Sequence, residues 1–427
     1  MKVNSTTVTM AALIITALAM AVGCKYDVAE PLWDKPYETL TSSTITSVVP
    51  DQEAGPGINI ITINGSNFDT ALDTTTIHAA QGDTAIAYNG IYFGNIRAEV
   101  TEFSSTSIKV RRPNLVSDTC TIKIVPAKVH LEAKYYPYKI DPVISEYGGF
   151  NDNTALSAAA IDNAQNIYVI DQTNQNRIYK ITPDGSNFYD TTQSALPRFP
   201  RDAVVGPDGR LYLIGQGTAQ GNANITAVDV STHPYQWSIW RTMTGKSVRF
   251  GDFDANGYFY AGGGRTDLMI IAPDSSNRAS GMYATGTSGD SILAVRVYGS
   301  YLYVAARLGT TEKGVWRHII SPGGVLGARE LYLDFKSDTV LANRTIRSIA
   351  MTANGTMYIC TDHVNPLLVV DPVTKKMDYF YKNIVPSFGK FLFWGNGNQA
   401  YLMCGNASPA QEWKFYKVDM GVTGAGK

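Results

Sequence analysis

The stretch "IDNAQNIYVIDQTNQNRIYKITPDG", residues 161–185, holds three short apolar strands separated by polar turns. Three such strands have no second layer to bury against and do not fold alone. The unit recurs. Aligned on the tyrosine of its second strand it reads IDNAQNIYVI (Tyr168), VGPDGRLYLI (Tyr212), FDANGYFYAG (Tyr260), RVYGSYLYVA (Tyr303), MTANGTMYIC (Tyr358) and WGNGNQAYLM (Tyr401). Successive tyrosines are 43 to 55 residues apart, and most copies run on into a third strand such as RIYKITP, ITAVDVS, LMIIAPD, LLVVDPV or KFYKVDM. A several-stranded repeat of that period is the pattern of propeller blades. Six copies predict a six-bladed β-propeller, with the tyrosines packed between blades rather than exposed as a ligand ladder.

The rest of the composition agrees. At 427 residues the chain exceeds one ordinary core. Its 38 glycines and 25 tyrosines favour short strands and tight turns. Beyond the N-terminus no long amphipathic helical pattern occurs, so the fold class is all-β. A net charge of −1 argues against a nucleic-acid binder.

At the N-terminus Lys2 precedes the apolar stretch MAALIITALAMAVG (10–23) and then Cys24. That stretch is too short to span a bilayer and suits the apolar region of a signal peptide. The sequence AVGC (21–24) resembles a bacterial lipobox, with Ala21 where leucine is usual. The resemblance implies cleavage before Cys24 and lipidation of its thiol, so the chain meets the membrane through a lipid anchor only. Residues 1–23 are read as the signal peptide and 24–43 as a flexible tether. Lys25, Asp27 and Glu30 resemble the export signals that follow the lipidated cysteine in Bacteroidota surface lipoproteins. Of the remaining cysteines, Cys120, Cys360 and Cys404, no pair has metal-ligand spacing, and buried thiols are expected.

From Ile45 the chain reads ITSVVPDQEAGPGINIITINGSNF, followed downstream by GIYFGNIRAEVTEFSSTSIKVRRP and DTCTIKIVP. On Pro50, Gly57, ITINGSNF, Tyr92–Gly94, STSIKVRRP and the closing strand, this region resembles an IPT/TIG domain. The resemblance implies an immunoglobulin-like sandwich over 44–139 that acts as a spacer or contact module. The segment DTALDTTTIHAAQGDTAIA (69–87) is a long insertion for that family. After a connecting segment, AKVHLEAKYYPYKIDPVISEYGG, the propeller occupies the remainder, taken as 140–427, and its copies resemble NHL repeats.

Ligands usually bind propellers where the chain enters the innermost strands. Eleven residues before the anchor tyrosines stand Ser157, Arg201, Arg249, Ile292, Arg347 and Lys390. Four cations at one repeated position predict a positive ring around the channel, and hence an anionic ligand. Arginine's planar fork suits carboxylate, sulfate or phosphate. The alternative is that these residues pair with Asp202, Asp252 or backbone carbonyls as structural ion pairs. Loops after the second strands, DQTNQNR, GQGTAQGNAN, GGGRTD, RLGTTEKG, TDHVNP and GNASPAQEW, are rich in amides and hydroxyls that suit sugar hydroxyls. They add Arg265, Arg307 and a stacking candidate, Trp413. Trp237, Trp240, Trp316 and Trp394 are expected in the packing.

Signatures of catalysis are weak. His233, His318 and His363 follow their tyrosines at different offsets and do not converge on one ion, so no metal and no cofactor are assigned. No HExxH, GxSxG or Walker motif occurs. The whole arrangement resembles accessory surface lipoproteins of Bacteroidota nutrient uptake. That resemblance implies a lipid-anchored outer-membrane protein, facing the cell exterior, that captures a polysaccharide or oligosaccharide beside a SusC/SusD-type importer. A protein-docking scaffold of the uptake complex and a propeller-type lyase or hydrolase remain open alternatives.

Overall fold

The structure is a computed structural model. It describes residues 42–68, 72–73, 86–87, 89–126, 132–150, 154–171, 177–196, 200–216, 222–264, 266–283, 290–310, 312–336, 343–405 and 413–426. The signal peptide, Cys24 and the tether lie outside the described residues.

Alternation builds the first region. Along Ile60–Ser66 the side chains of Ile61 and Ile63 are buried while their neighbours are half-exposed, as a half-buried strand requires. One sheet orders Thr44–Val49, Ile60–Ser66, Ser107–Arg111 and Val100–Phe103. The facing sheet orders Glu53–Ala54, Ala133–Ile140, Ser117–Val125, Gly90–Phe93 and Ile96–Arg97. Ile91, Phe93, Ile108, Val110, Ile122, Ile124 and Tyr138 fill the space between them. Part of the connecting segment thus belongs to the sandwich, since Ala133–Ile140 pairs with Ser117–Val125. Of the insertion at 69–87, Leu72–Asp73 pairs with Ile86–Ala87.

Six blades follow, five of them four-stranded and the fourth with a fifth strand, Glu330–Asp334, paired to Glu312–Ser321. Their innermost strands are Leu156–Ile161, Pro200–Val205, Val248–Phe253, Ser291–Tyr298, Ile346–Met351 and Gly389–Trp394. Each packs against the next, and the last against the first, so the ring is closed. The outer strand of blade six is not contributed by the end of the chain. Ile144–Glu146, from before blade one, pairs antiparallel with Trp413–Asp419 and closes the circle. This pairing ties the segment before blade one to the last blade and so holds the ring shut.

The anchor tyrosines are buried, as expected. In the first three blades their hydroxyls donate to an aspartate of the preceding turn: Tyr168 to Asp162 at 3.2 Å, Tyr212 to Asp208 at 2.7 Å and Tyr260 to Asp254 at 3.1 Å. Each tyrosine therefore fills the gap between blades and has a partner for its hydroxyl, which burial requires. Trp316 and Trp394 are buried; Trp240 packs edge-on against Tyr212 and Phe259, and Trp237 donates to Ser194 O. Cys120, Cys360 and Cys404 are buried and unbridged.

Sandwich and propeller are joined by a polar network on the outer strand of blade five, Met377–Tyr379, and the residues after it. Arg111 forks onto Asp378 at 2.6 and 3.1 Å. The Asn59 amide donates to Tyr379 O and accepts from Tyr381 N. The Tyr381 hydroxyl accepts from Gly57 N at 2.6 Å and donates to Asp419 O at 2.8 Å. Lys382 pairs with Glu99 at 2.6 Å. Behind these contacts the buried Arg112 donates to the carbonyls of Ala54, Gly55 and Asp141.

Candidate functional site

Every innermost strand carries a β-bulge near its start. The pairing skips Ser157, Arg201, Arg249, Leu293, Arg347 and Lys390 in blades one to six. A bulge leaves one residue outside the ladder and re-aims its side chain. The four cations predicted to share a position therefore do so, on four innermost strands. Blade four departs from the expected alignment. Tyr298 and Tyr301 are joined there by only Gly299 and Ser300, the former at φ 57°. Blade two spends the five residues between Val205 and Leu211 on the same turn. The register slides by one, and Leu293, not Ile292, stands at the bulge. Ile292 is buried between blades three and four.

Two residues beyond each bulge come Ala159, Ala203, Gly251, Val295, Ile349 and Leu392. All six line the channel and are buried. They form one layer of the floor, roughly 7 Å along the strands from the bulge residues, and Asp202, Asp252, Arg296 and Ser348 line the same channel beside them. The site is thus a cup with a cationic rim above a floor of mixed apolar and polar residues.

The rim charges feel one another. Burial, together with the charges of Arg249 and Arg347, holds Arg201 below the usual arginine value. Burial and the charges of Arg201 and Arg347 push the Lys390 ammonium down to about 7. Lys390 Nζ donates to Leu156 O at 2.9 Å and lies 4.8 Å from the Trp413 ring centre. Arg347 has a carboxylate partner, Asp362, at 3.2 Å. Among the described residues, no carboxylate pairs with Arg201 or Arg249.

The proposed structural ion pairs form differently. Asp202 Oδ2 accepts from Gly251 N of the next blade at 3.2 Å, and Asp252 Oδ2 accepts from Val297 N at 3.0 Å. Asp252 also faces Arg296 at 3.4 Å. The two aspartates clasp neighbouring blades instead of neutralising the rim. Ser348 Oγ makes the same clasp to Leu392 N at 2.7 Å.

The other candidates are scattered around this mouth. Arg307 stands opposite Ser291 at the end of its strand. Lys313, missed in the sequence because its repeat position is not shared, lies beside it. Burial and Arg307 lower Lys313, Asp362 raises it, and its Nζ donates to Arg344 O. Trp413 begins a strand and is half-buried against the blade-one and blade-six core, with Lys390 over its face. Its ring is a lid on the lysine rather than an open stacking platform. Arg265 and most of the amide-rich loops fall outside the described residues. Ser157 is buried, its hydroxyl on Ile170 O.

The histidines stand apart. His318 is buried between the Tyr283 hydroxyl at 2.6 Å and Gly327 O at 3.0 Å, while His233 and His363 are exposed. Among the described residues, no three His, Cys, Asp or Glu side chains are grouped to hold a metal. The opposite mouth has a larger hollow, about 850 Å³, lined by Asp162, Asp254, Arg296, Tyr298 and Tyr301. Its carboxylates already have internal partners: Asp162 takes Asn166 N and Tyr168, and Asp254 takes Asn256 N, Tyr258 N and Tyr260. The cationic mouth is therefore the stronger candidate despite its smaller opening.

Residues 43–139 match the IPT/TIG domain family. No curated protein matches the chain. Solved structures that align with it include a structural genomics protein of unknown function from Bacteroides thetaiotaomicron, 11% identical over 90% of this chain and 99% of that one, TM-score 0.47. A gluconolactonase from Xanthomonas campestris is 12% identical over 62% of this chain and 86% of that one, TM-score 0.44. The calcium-binding protein regucalcin from Agrobacterium tumefaciens is 10% identical over 65% of this chain and 94% of that one, TM-score 0.48. At these identities the likeness is one of fold.

Proposed function

We propose that the propeller captures an anionic glycan at its cationic mouth, and that the chain serves as a surface lipoprotein beside a SusC/SusD-type importer. One observation carries the binding role: Arg201 and Arg249 share a rim with Arg347 and Lys390, yet neither has a carboxylate partner among the described residues. Like charges brought together at one opening raise the energy of the empty site, and an anion relieves it. The mouth stands on bulges of packed innermost strands, so little ordering is needed on binding. The anchoring role rests on AVGC (21–24) and the apolar stretch before it. No helix among the described residues is long and apolar enough to cross a membrane.

The test is affinity electrophoresis of the chain lacking residues 1–24 through gels containing neutral, uronic or sulfated polysaccharides. Retardation by an acidic glycan, relieved by salt, is the expected result. Retardation by neutral glycans alone would move the site to the amide-rich loops. No retardation, with importer proteins co-purifying from outer membranes, would replace capture by a docking role.

A further inference from the structure

The rim is not a uniform ring. Numbered around the axis, its cations come from blades two, three, five and six, with Ser157 of blade one and Leu293 of blade four between them. In a six-bladed ring, blade two faces blade five and blade three faces blade six. Arg201 is therefore directly across the channel from Arg347, and Arg249 from Lys390. The two diagonals cross on the axis. Arg201 feels Arg347 from across the channel as well as Arg249 beside it, and Lys390 feels Arg201. Arg201, Arg347 and Lys390 thus act on one another across the opening, with Arg249 beside Arg201 on the same rim.

A planar carboxylate offers two oxygens in one plane and suits a single forked arginine, as Asp378 suits Arg111 at the domain joint. It leaves donors on the other diagonal unmet. A tetrahedral oxoanion presents three terminal oxygens splayed around its own axis, so donors arriving from both diagonals each find an acceptor. Charge balance points the same way. Among the described residues Arg347 alone of the four rim cations has a carboxylate partner, Asp362, so a group with dense negative charge neutralises more of the excess.

We propose that the mouth is a coaxial site for a tetrahedral oxoanion, a phosphate or sulfate monoester terminating a sugar, held by Arg201, Arg249, Arg347 and Lys390. This rests on the anionic-ligand reading above and names its ligand class. Ser157 and Leu293, on opposite sides, are the two rim positions without charge, and the rest of the sugar leaves the cup along the channel axis.

The experiment compares glucose 6-phosphate, glucose 6-sulfate and glucuronate by titration calorimetry, with inorganic phosphate and sulfate as minimal probes. The expected result is at least tenfold tighter binding of one ester than of glucuronate. Preference for the phosphate over the sulfate ester would assign a dianion, and the reverse a monoanionic sulfate. Arg201→Gln and Arg249→Gln should each weaken the preferred ester at least tenfold without lowering the melting temperature. Glucuronate binding as tightly as either ester would overturn the oxoanion assignment and leave the anionic-ligand reading intact. Failure of all five probes together with the acidic polysaccharides would overturn both.

Discussion

Two arginines show what partners do to the same side chain. Arg111, at the joint between sandwich and propeller, loses water on burial, but Asp378 and Glu99 more than offset this and its proton is held more tightly than usual. Arg201, at the channel mouth, is the more exposed of the two, but partial burial and the charges of Arg249 and Arg347 leave its proton held less tightly. The joint is electrostatically complete and the mouth is not. Completeness makes a structural contact, and its absence leaves interaction energy available to a ligand.

The largest test of that contrast is Arg112→Met. Arg112 is buried and satisfies the carbonyls of Ala54, Gly55 and Asp141. Leaving buried acceptors unmet should lower stability by about 3 kcal/mol or more, measured as a drop in the urea midpoint. A change under about 1 kcal/mol would mean the joint is not complete in the sense argued. At the mouth the sign reverses. Arg201→Gln with Arg249→Gln should leave stability unchanged or slightly higher, because like charges are removed. Anion affinity should fall by roughly 1.5 to 3 kcal/mol for each charged hydrogen bond lost. Marked destabilisation would show that the two guanidiniums are structural after all.

Arg111→Ala comes next. The pair it forms with Asp378 is forked but partly open to water, with Asp378 48% exposed, so a loss of about 1 kcal/mol is expected from thermal unfolding. Smallest is the pH effect. Lys390 is faced by Arg201, Arg347, Leu156 O and the rings of Phe391 and Trp413. Its ammonium, at about 7, is charged below that pH and neutral above it. A bound anion raises that value, so binding takes up a proton and affinity should fall several-fold as pH rises from 6 to 8. Calorimetry in buffers of different ionisation enthalpy reads the proton directly. In the empty protein the sign is opposite for folding. The unfolded lysine titrates near 10.4, so the folded state is disfavoured below about 7 and gains stability as pH rises between the two values. Lys390→Met should flatten that rise.

Much of the fold was legible because a propeller repeats its local chemistry. The turn, the anchor tyrosine and the cationic bulge recur at nearly constant spacing, so an alignment of six short segments finds them. Three features escaped. Ile144–Glu146 reads as a linker, because three residues of strand carry almost no periodic signal and their partner lies more than 260 residues away. Leu293 was displaced by one position, because a two-residue turn in blade four pairs as well as the five-residue turn of blade two. Lys313 reaches the mouth from a third strand, a place no repeat marks.

The sequence by itself determined the number of blades, the immunoglobulin-like sandwich before them and the position on each innermost strand where the cations fall. These depend on side-chain alternation and turn chemistry, which act over a few residues. Only the tertiary structure decided that Asp202 and Asp252 clasp adjacent blades while, among the described residues, no carboxylate pairs with Arg201 or Arg249, and that Arg201, Arg347 and Lys390 act on one another across the channel. Charge pairing depends on distance through space, and closing the ring sets those distances between residues nearly 200 positions apart in the chain.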